Sequence, residues 1–171
     1  MVEENADGAP TSRPPTLDDL LLICRNLNDQ GASYVVIGGF AMFEHGLARL
    51  TDDIDLLIEN SPANVARVKK ALECLPDRAS RDVLDTDVVE YTVVRVNDEV
   101  TVDLMGSACG IDFGQAVALV DWRDIRGVRI PFASPALLWK TKQTYRQKDA
   151  LDRSFLRKWF TDRGQNPPAC A

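Results

Sequence analysis

Arg49-Leu50-Thr51-Asp52-Asp53-Ile54-Asp55-Leu56-Leu57-Ile58 is the stretch that decides how this chain is read. Its second half is the apolar run of a strand buried on both faces, interrupted by two acids, and alternate residues of a strand point to the same face. Asp53 and Asp55 therefore stand side by side. Like charges held that close repel one another. The arrangement is tolerable when a cation sits between them, and hard carboxylate oxygens select Mg²⁺ or a similar divalent ion. An EF-hand would need a polar loop with glycine, whereas Ile54, Leu56 and Leu57 are apolar, so no calcium loop is present here.

Upstream, Tyr34-Val35-Val36-Ile37 reads as a second buried strand that Gly38-Gly39 ends abruptly, with a short helix expected from Phe40 to His45. Glycines at a strand end let bare backbone N–H groups approach a phosphate with no side chain in the way. Downstream, Thr101-Val102-Asp103-Leu104 again places an acid inside an apolar strand pattern. If that strand pairs beside the first, at a spacing of roughly 4.8 Å, Asp103 becomes a third member of the cluster. Three acids can hold two metal ions roughly 3.5–4 Å apart, a geometry suited to in-line phosphoryl or nucleotidyl transfer.

The rest of the chain frames these residues. Residues 1–15 are polar and rich in proline, and are expected to form a disordered arm; residues 16–163 read as the folded domain and 164–171 as a flexible tail. Thr16 and Asp19 suggest a capping box, followed by Leu17, Leu20, Leu21, Cys24 and Leu27 at helical spacing up to Gly31. Ser61-Pro62 opens a helix with Val65, Val68, Ala71 and Leu72 on its buried side, closed by Pro76. Val88–Val96 and Val100–Met105 read as a hairpin around Asn97-Asp98-Glu99. Residues 112–120 read as a short helix and Val128–Phe132 as an edge strand that tolerates Pro131. From Pro135 onward the pattern is one kinked helix or two consecutive ones. The order of elements predicts an α/β (α+β) fold, a mixed β-sheet flanked by helices.

Composition narrows the function. The chain has 171 residues, 45% hydrophobic and 7% aromatic, the make-up of one globular domain with a real core. Twenty basic against 26 acidic side chains leave a net charge of −6, which argues against gripping a polynucleotide by charge alone. Residues 140–163, with eight basic and three acidic side chains, run the other way. Such a local basic face suits a nucleotide or the end of an RNA, and reads equally well as a solvated helix surface. Cys24, Cys74, Cys109 and Cys170 are scattered and read as reduced thiols. His45 is the only histidine, which rules out a histidine-rich zinc site, and reads as a packing or surface residue. No apolar run approaches the roughly 20 residues of a membrane span, and the first residues lack the order of a signal peptide, so a cytoplasmic protein is expected.

Taken together, Ile37-Gly38-Gly39, a spacer of thirteen residues, Asp53-Ile54-Asp55-Leu56 and then Asp103 resemble the nucleotidyltransferase superfamily related to DNA polymerase beta. The resemblance runs from about residue 34 to 152. Arg49-Leu50-Thr51-Asp52, Leu138-Trp139-Lys140 and Arg146 through Asp152 are similar to small stand-alone bacterial members, including abortive-infection-type toxins and some antibiotic-modifying enzymes. The resemblance implies a minimal nucleotidyltransferase fold. It implies that Gly38 and Gly39 cradle a triphosphate, that Asp53 and Asp55 bind two Mg²⁺ ions, and that Asp103 binds one of them and helps activate an acceptor hydroxyl. Lys140, Arg49, Thr51 and Lys148 would contact the nucleotide, and Lys148, Asp149 and Asp152 belong to a recurring C-terminal pattern. Lys140 and Lys142 also read as a solvated helix face, and Asp149 with Arg153 as a simple i,i+4 pair.

The function expected is Mg²⁺-dependent transfer of a nucleoside monophosphate from an NTP to a hydroxyl, with release of pyrophosphate. The acceptor is an RNA 3′ end, a protein side chain or a small alcohol, and an antitoxin or a second copy of the chain is a further candidate partner. The alternatives are a non-catalytic NTP-binding or toxin–antitoxin regulatory protein on the same fold, and a two-metal phosphoesterase.

Overall fold

Thr16 accepts a hydrogen bond from the Asp19 amide while the Asp19 carboxylate accepts one from the Thr16 amide, so the expected capping box does open α1 (Leu17–Asp29). The computed structural model describes residues 11–170. Leu20, Ile23, Cys24 and Leu27 form the buried stripe of α1. The strand β1 (Tyr34–Ile37) is buried along its length and runs directly into α2 (Gly38–Glu44), two residues earlier than the sequence suggests. Next come β2 (Asp53–Ile58) and α3 (Pro62–Leu72), the latter capped by the Ser61 hydroxyl. A 3₁₀ turn at Ala79–Asp82 and one helical turn, α4 (Asp87–Glu90), lead to β3 (Val94–Asn97) and β4 (Thr101–Met105).

A small hairpin of β5 (Ser107–Ala108) and β6 (Ile111–Asp112) follows, then α5 (Phe113–Ala116), β7 (Val120–Ile125) and β8 (Val128–Ala133). The C-terminal part is two helices, α6 (Pro135–Thr141) and α7 (Gln147–Asp162), which settles the choice the sequence left open. No helix among the described residues is long and apolar enough to cross a membrane.

Six strands form a mixed sheet in the order β3-β4-β2-β1-β8-β7, as the fold class predicts. Two pairings position the site. β2 and β4 are parallel, with Asp55 opposite Asp103, and β1 and β2 are antiparallel, with Ile37 opposite Asp55. Gly38 thus emerges from β1 at the same rim of the sheet as the acids. α1 packs on α3 and on β8, and α2 packs on α6 and on β1 and β2. Side chains such as Ile54, Leu56, Leu104, Ile130 and Phe132 fill the core between them.

Two expectations about strands are corrected. Val128–Phe132 is not at the edge: β8 lies between β1 and β7, and the edge belongs to β7, whose sequence Val-Asp-Trp-Arg-Asp-Ile is half polar with no residue fully buried and gave no strand signal. Pro131 is tolerated because β8 meets β1 over a single registered pair, Val36 with Phe132. The strand expected from Val88 begins only at Val94, because the Asp87 carboxylate accepts the Leu84 amide and the Thr86 carbonyl accepts the amides of Val89 and Glu90, closing a helical turn instead.

Residues 1–10 of the expected arm lie outside the described residues. Ser12 and Arg13 are tied to the β3–β4 turn, through Ser12 Oγ to the Asp98 carbonyl (2.7 Å) and the Arg13 amide to the Glu99 carbonyl (2.9 Å). Asp98 itself is buried, and its carboxylate accepts the amides of Asp77, Ala79 and Glu99.

Candidate active site

Strand alternation and the β2–β4 register bring one carboxylate oxygen from each of Asp53, Asp55 and Asp103 within 4.8 Å of one another. Asp103 is buried, and the other two are partly so. Desolvation in the cleft and the charges of its two neighbours push the Asp55 carboxyl up to about 7. Asp53 is raised for the same reasons, desolvation first and the Asp103 charge second. Arg95 of β3 answers part of this repulsion: its Nε and Nη2 each donate to an Asp103 oxygen at 2.9 Å, and Nη2 lies 3.5 Å from Asp53 Oδ2. Three hard oxygens converging in a cleft where their charges oppose each other form a donor set that fits a divalent cation such as Mg²⁺.

The glycines have a packing reason beyond their expected role. A Cβ at Gly38, whose φ is +66°, would sit 2.0 Å from Asp55 Oδ2, and one at Gly39 would sit 2.6 Å from Thr51 Oγ1. Thr51 in turn donates its hydroxyl to the Asp53 carbonyl at 3.0 Å. Bare backbone is therefore what allows Asp55 and Thr51 to close over the start of α2.

The opposite wall of this cavity, of about 430 Å³, is cationic: Arg49, Lys142, Arg146 and Lys148 face Gly38, Gly39, Thr51 and the acids. They divide into two kinds. Asp152, fully buried on α7, accepts Arg49 Nε at 3.0 Å and Nη2 at 2.8 Å, and Lys142 Nζ lies 2.7 Å from the same carboxylate. Burial opposes the Asp152 charge, but these bonds from Arg49 and Lys142 hold its carboxyl below the ordinary range. Arg49 is thereby oriented with its Nη1, which also donates to the Leu50 carbonyl, beside Gly39. Arg146 and Lys148, by contrast, enter no ion pair among the described residues. The loop between α6 and α7 that carries Arg146 is braced: Arg153 donates to the carbonyls of Lys142 and Thr144, and the Thr144 hydroxyl donates to Asp149.

The structure thus gathers Gly38, Gly39, Arg49, Thr51, Asp53, Asp55, Asp103 and Lys148 around one cavity. Lys140 does not join them; it lines a separate cavity with Cys109 and Gln143. Lys142 takes the inner position instead and is only 6% exposed, because α6 ends at Thr141 and positions two apart on a helix do not share a face. Asp149 and Arg153 do not pair with each other, since both are spent on the α6–α7 loop. His45 is a packing residue, with Nε2 2.8 Å from the Ala133 carbonyl oxygen and its ring edge-on to Trp159. Arg95 was not singled out by sequence. A signal existed in the alternation Val94-Arg95-Val96-Asn97, which puts Arg95 opposite Asp103 once the turn is placed.

Residues 16–151 match the family described as nucleotidyl transferase of unknown function (DUF2204), and the chain belongs to that family. No curated protein matches it significantly. Among solved structures it is similar to a Thermotoga maritima protein provisionally assigned as a nucleotidyltransferase. The identity is 16%, with 87% of this chain and 97% of that chain covered and a TM-score of 0.48.

Proposed function

We propose that this chain is a Mg²⁺-dependent nucleotidyltransferase that moves a nucleoside monophosphate from an NTP to a hydroxyl acceptor and releases pyrophosphate. The observation that carries the reading is the facing of two surfaces across one cavity: the carboxylates of Asp53, Asp55 and Asp103 on one side, and on the other Arg146 and Lys148, which enter no ion pair among the described residues.

In the reaction the acceptor oxygen forms a bond to the α-phosphorus, the bond from that phosphorus to the α–β bridging oxygen breaks, and the hydroxyl proton departs. Divalent cations held by Asp53, Asp55 and Asp103 would neutralise phosphate charge and lower the acidity barrier of the hydroxyl. Arg146 and Lys148, with Nη1 of Arg49, would neutralise the β- and γ-phosphates, and the Gly38-Gly39 backbone would let those phosphates approach; their lining of one cavity supports this. Asp152 holds Arg49 and Lys142 in place without facing the reacting atoms itself. Asp103 would take the hydroxyl proton on an Oδ.

The test is transfer of label from each α-³²P-NTP, with Mg²⁺, into total RNA, total protein and a small-molecule extract, with Asp55→Ala and Asp103→Ala in parallel. Label entering one fraction and lost in both variants supports the reading and identifies the acceptor class. Activity retained in Asp55→Ala overturns it, and NTP-dependent thermal stabilisation without any transfer would favour a binding protein.

A further inference from the structure

Part of the charge of the carboxylate cluster is neutralised from within. Arg95 stands opposite Asp103 in the antiparallel β3–β4 register, and its guanidinium occupies both Asp103 oxygens while reaching Asp53. These are the side chains whose oxygens would ligate a cation, so a cation bound to Asp103 would compete with this two-pronged bond for the lone pairs the guanidinium uses and would be repelled by its charge. Arg95 is held from one side only: its side chain is 56% exposed, its Nη1 makes no hydrogen bond among the described residues, and it borders a second cavity lined by Ser12, Asp52 and Asn97. Asp103, 7% exposed at its side chain, cannot follow it into solvent.

We propose that Arg95 is an internal counter-ion that holds Asp103 and Asp53 together while no divalent cation is bound and is displaced from Asp103 when one binds. The inference rests on the cation-binding part of the proposed function. It makes Arg95 a positioning residue that sets the cation threshold of the site: the unloaded cluster is kept compact, and loading costs the rupture of the Arg95–Asp103 bond.

The test is calorimetric titration of the full chain with Mn²⁺ alone, without nucleotide, for wild type, Arg95→Gln, Arg95→Lys, Asp55→Asn and Arg126→Gln. Arg126 pairs with exposed Asp18 far from the cluster and controls for net charge. Displacement predicts that Arg95→Gln binds Mn²⁺ about tenfold tighter than wild type. Arg95→Lys, which keeps the charge but cannot form the two-pronged bond, should also bind more tightly, and Arg126→Gln should be unchanged.

Arg95→Gln binding no tighter than wild type overturns the proposal, as does Arg95→Lys matching wild type, because then the field of the charge acts and not the bond. The lysine variant carries the test should the glutamine variant fail to fold. Wild-type Mn²⁺ binding that Asp55→Asn leaves intact would place the ion elsewhere and undo the proposed function as well. Binding that is sensitive to Asp55 but indifferent to Arg95→Lys undoes only the displacement.

Discussion

Gly38 and Asp55 occupy one space: a single carbon added to Gly38 would lie 2.0 Å from Asp55 Oδ2, at a backbone φ of +66°. Two elements meet there, the end of β1 and the middle of β2, and their antiparallel pairing is what sets the acid beside the Gly38 backbone. Gly38→Ala is expected to cost about 2 kcal/mol from left-handed backbone strain and from the forced movement of Asp55. The loss should appear in urea unfolding, accompanied by loss of Mn²⁺ binding.

Asp152 carries two cations on one buried carboxylate, with Arg49 arriving from 103 residues away in sequence. Asp152→Asn leaves the buried Lys142 without its closest partner, the oxygen at 2.7 Å, and Asp149 is a more distant substitute at 3.5 Å. A loss of about 3 kcal/mol is expected, measurable as a shift of the denaturation midpoint at unchanged slope.

The Arg13 guanidinium and the Thr16 cap hold the Asp19 carboxyl down at about 2, against an ordinary value of 3.8. A depressed acid contributes stability that is present above the unfolded value and disappears as pH falls through the folded one. Asp19→Asn should therefore cost about 1 kcal/mol at pH 6 and progressively less between pH 4 and pH 2. Paired urea titrations of wild type and variant across that range would show it.

Burial pushes the Cys24 thiol up to about 12, whereas Cys109 and Cys170 are exposed. Alkylation of the native chain at about pH 8, read by mass spectrometry, should modify Cys109 and Cys170 first and reach Cys24 only on unfolding.

Divalent cation should raise the unfolding temperature of wild type, and a chelator should reverse the rise, since a ligand of the native state stabilises it by mass action. Asp103→Ala should abolish this response. An undiminished rise in that variant would locate the ion outside the β2–β4 pair.

The amino-acid sequence by itself determined the acids and the glycines. Two carboxylates at i and i+2 of a strand share a face by backbone geometry alone, and Gly38-Gly39 marks the strand end whatever surrounds it, so Asp53, Asp55 and the end of β1 were legible locally. Asp103 was legible as an acid in an apolar strand, but its place opposite Asp55 required the parallel register of β2 and β4, which a crossover sets and no local pattern encodes. The cationic wall lay further out of reach. That Lys142 and not Lys140 turns inward, that Arg49 is spent on Asp152, and that Arg95 bridges the acids all follow from where α6 ends, how Asp152 of α7 meets the segment before β2, and the pairing of β3 with β4. A long charged side chain reads the same in sequence whether it meets water or a buried carboxylate. Only tertiary packing decides which carboxylate is within reach, and with it which cations are left free for a ligand.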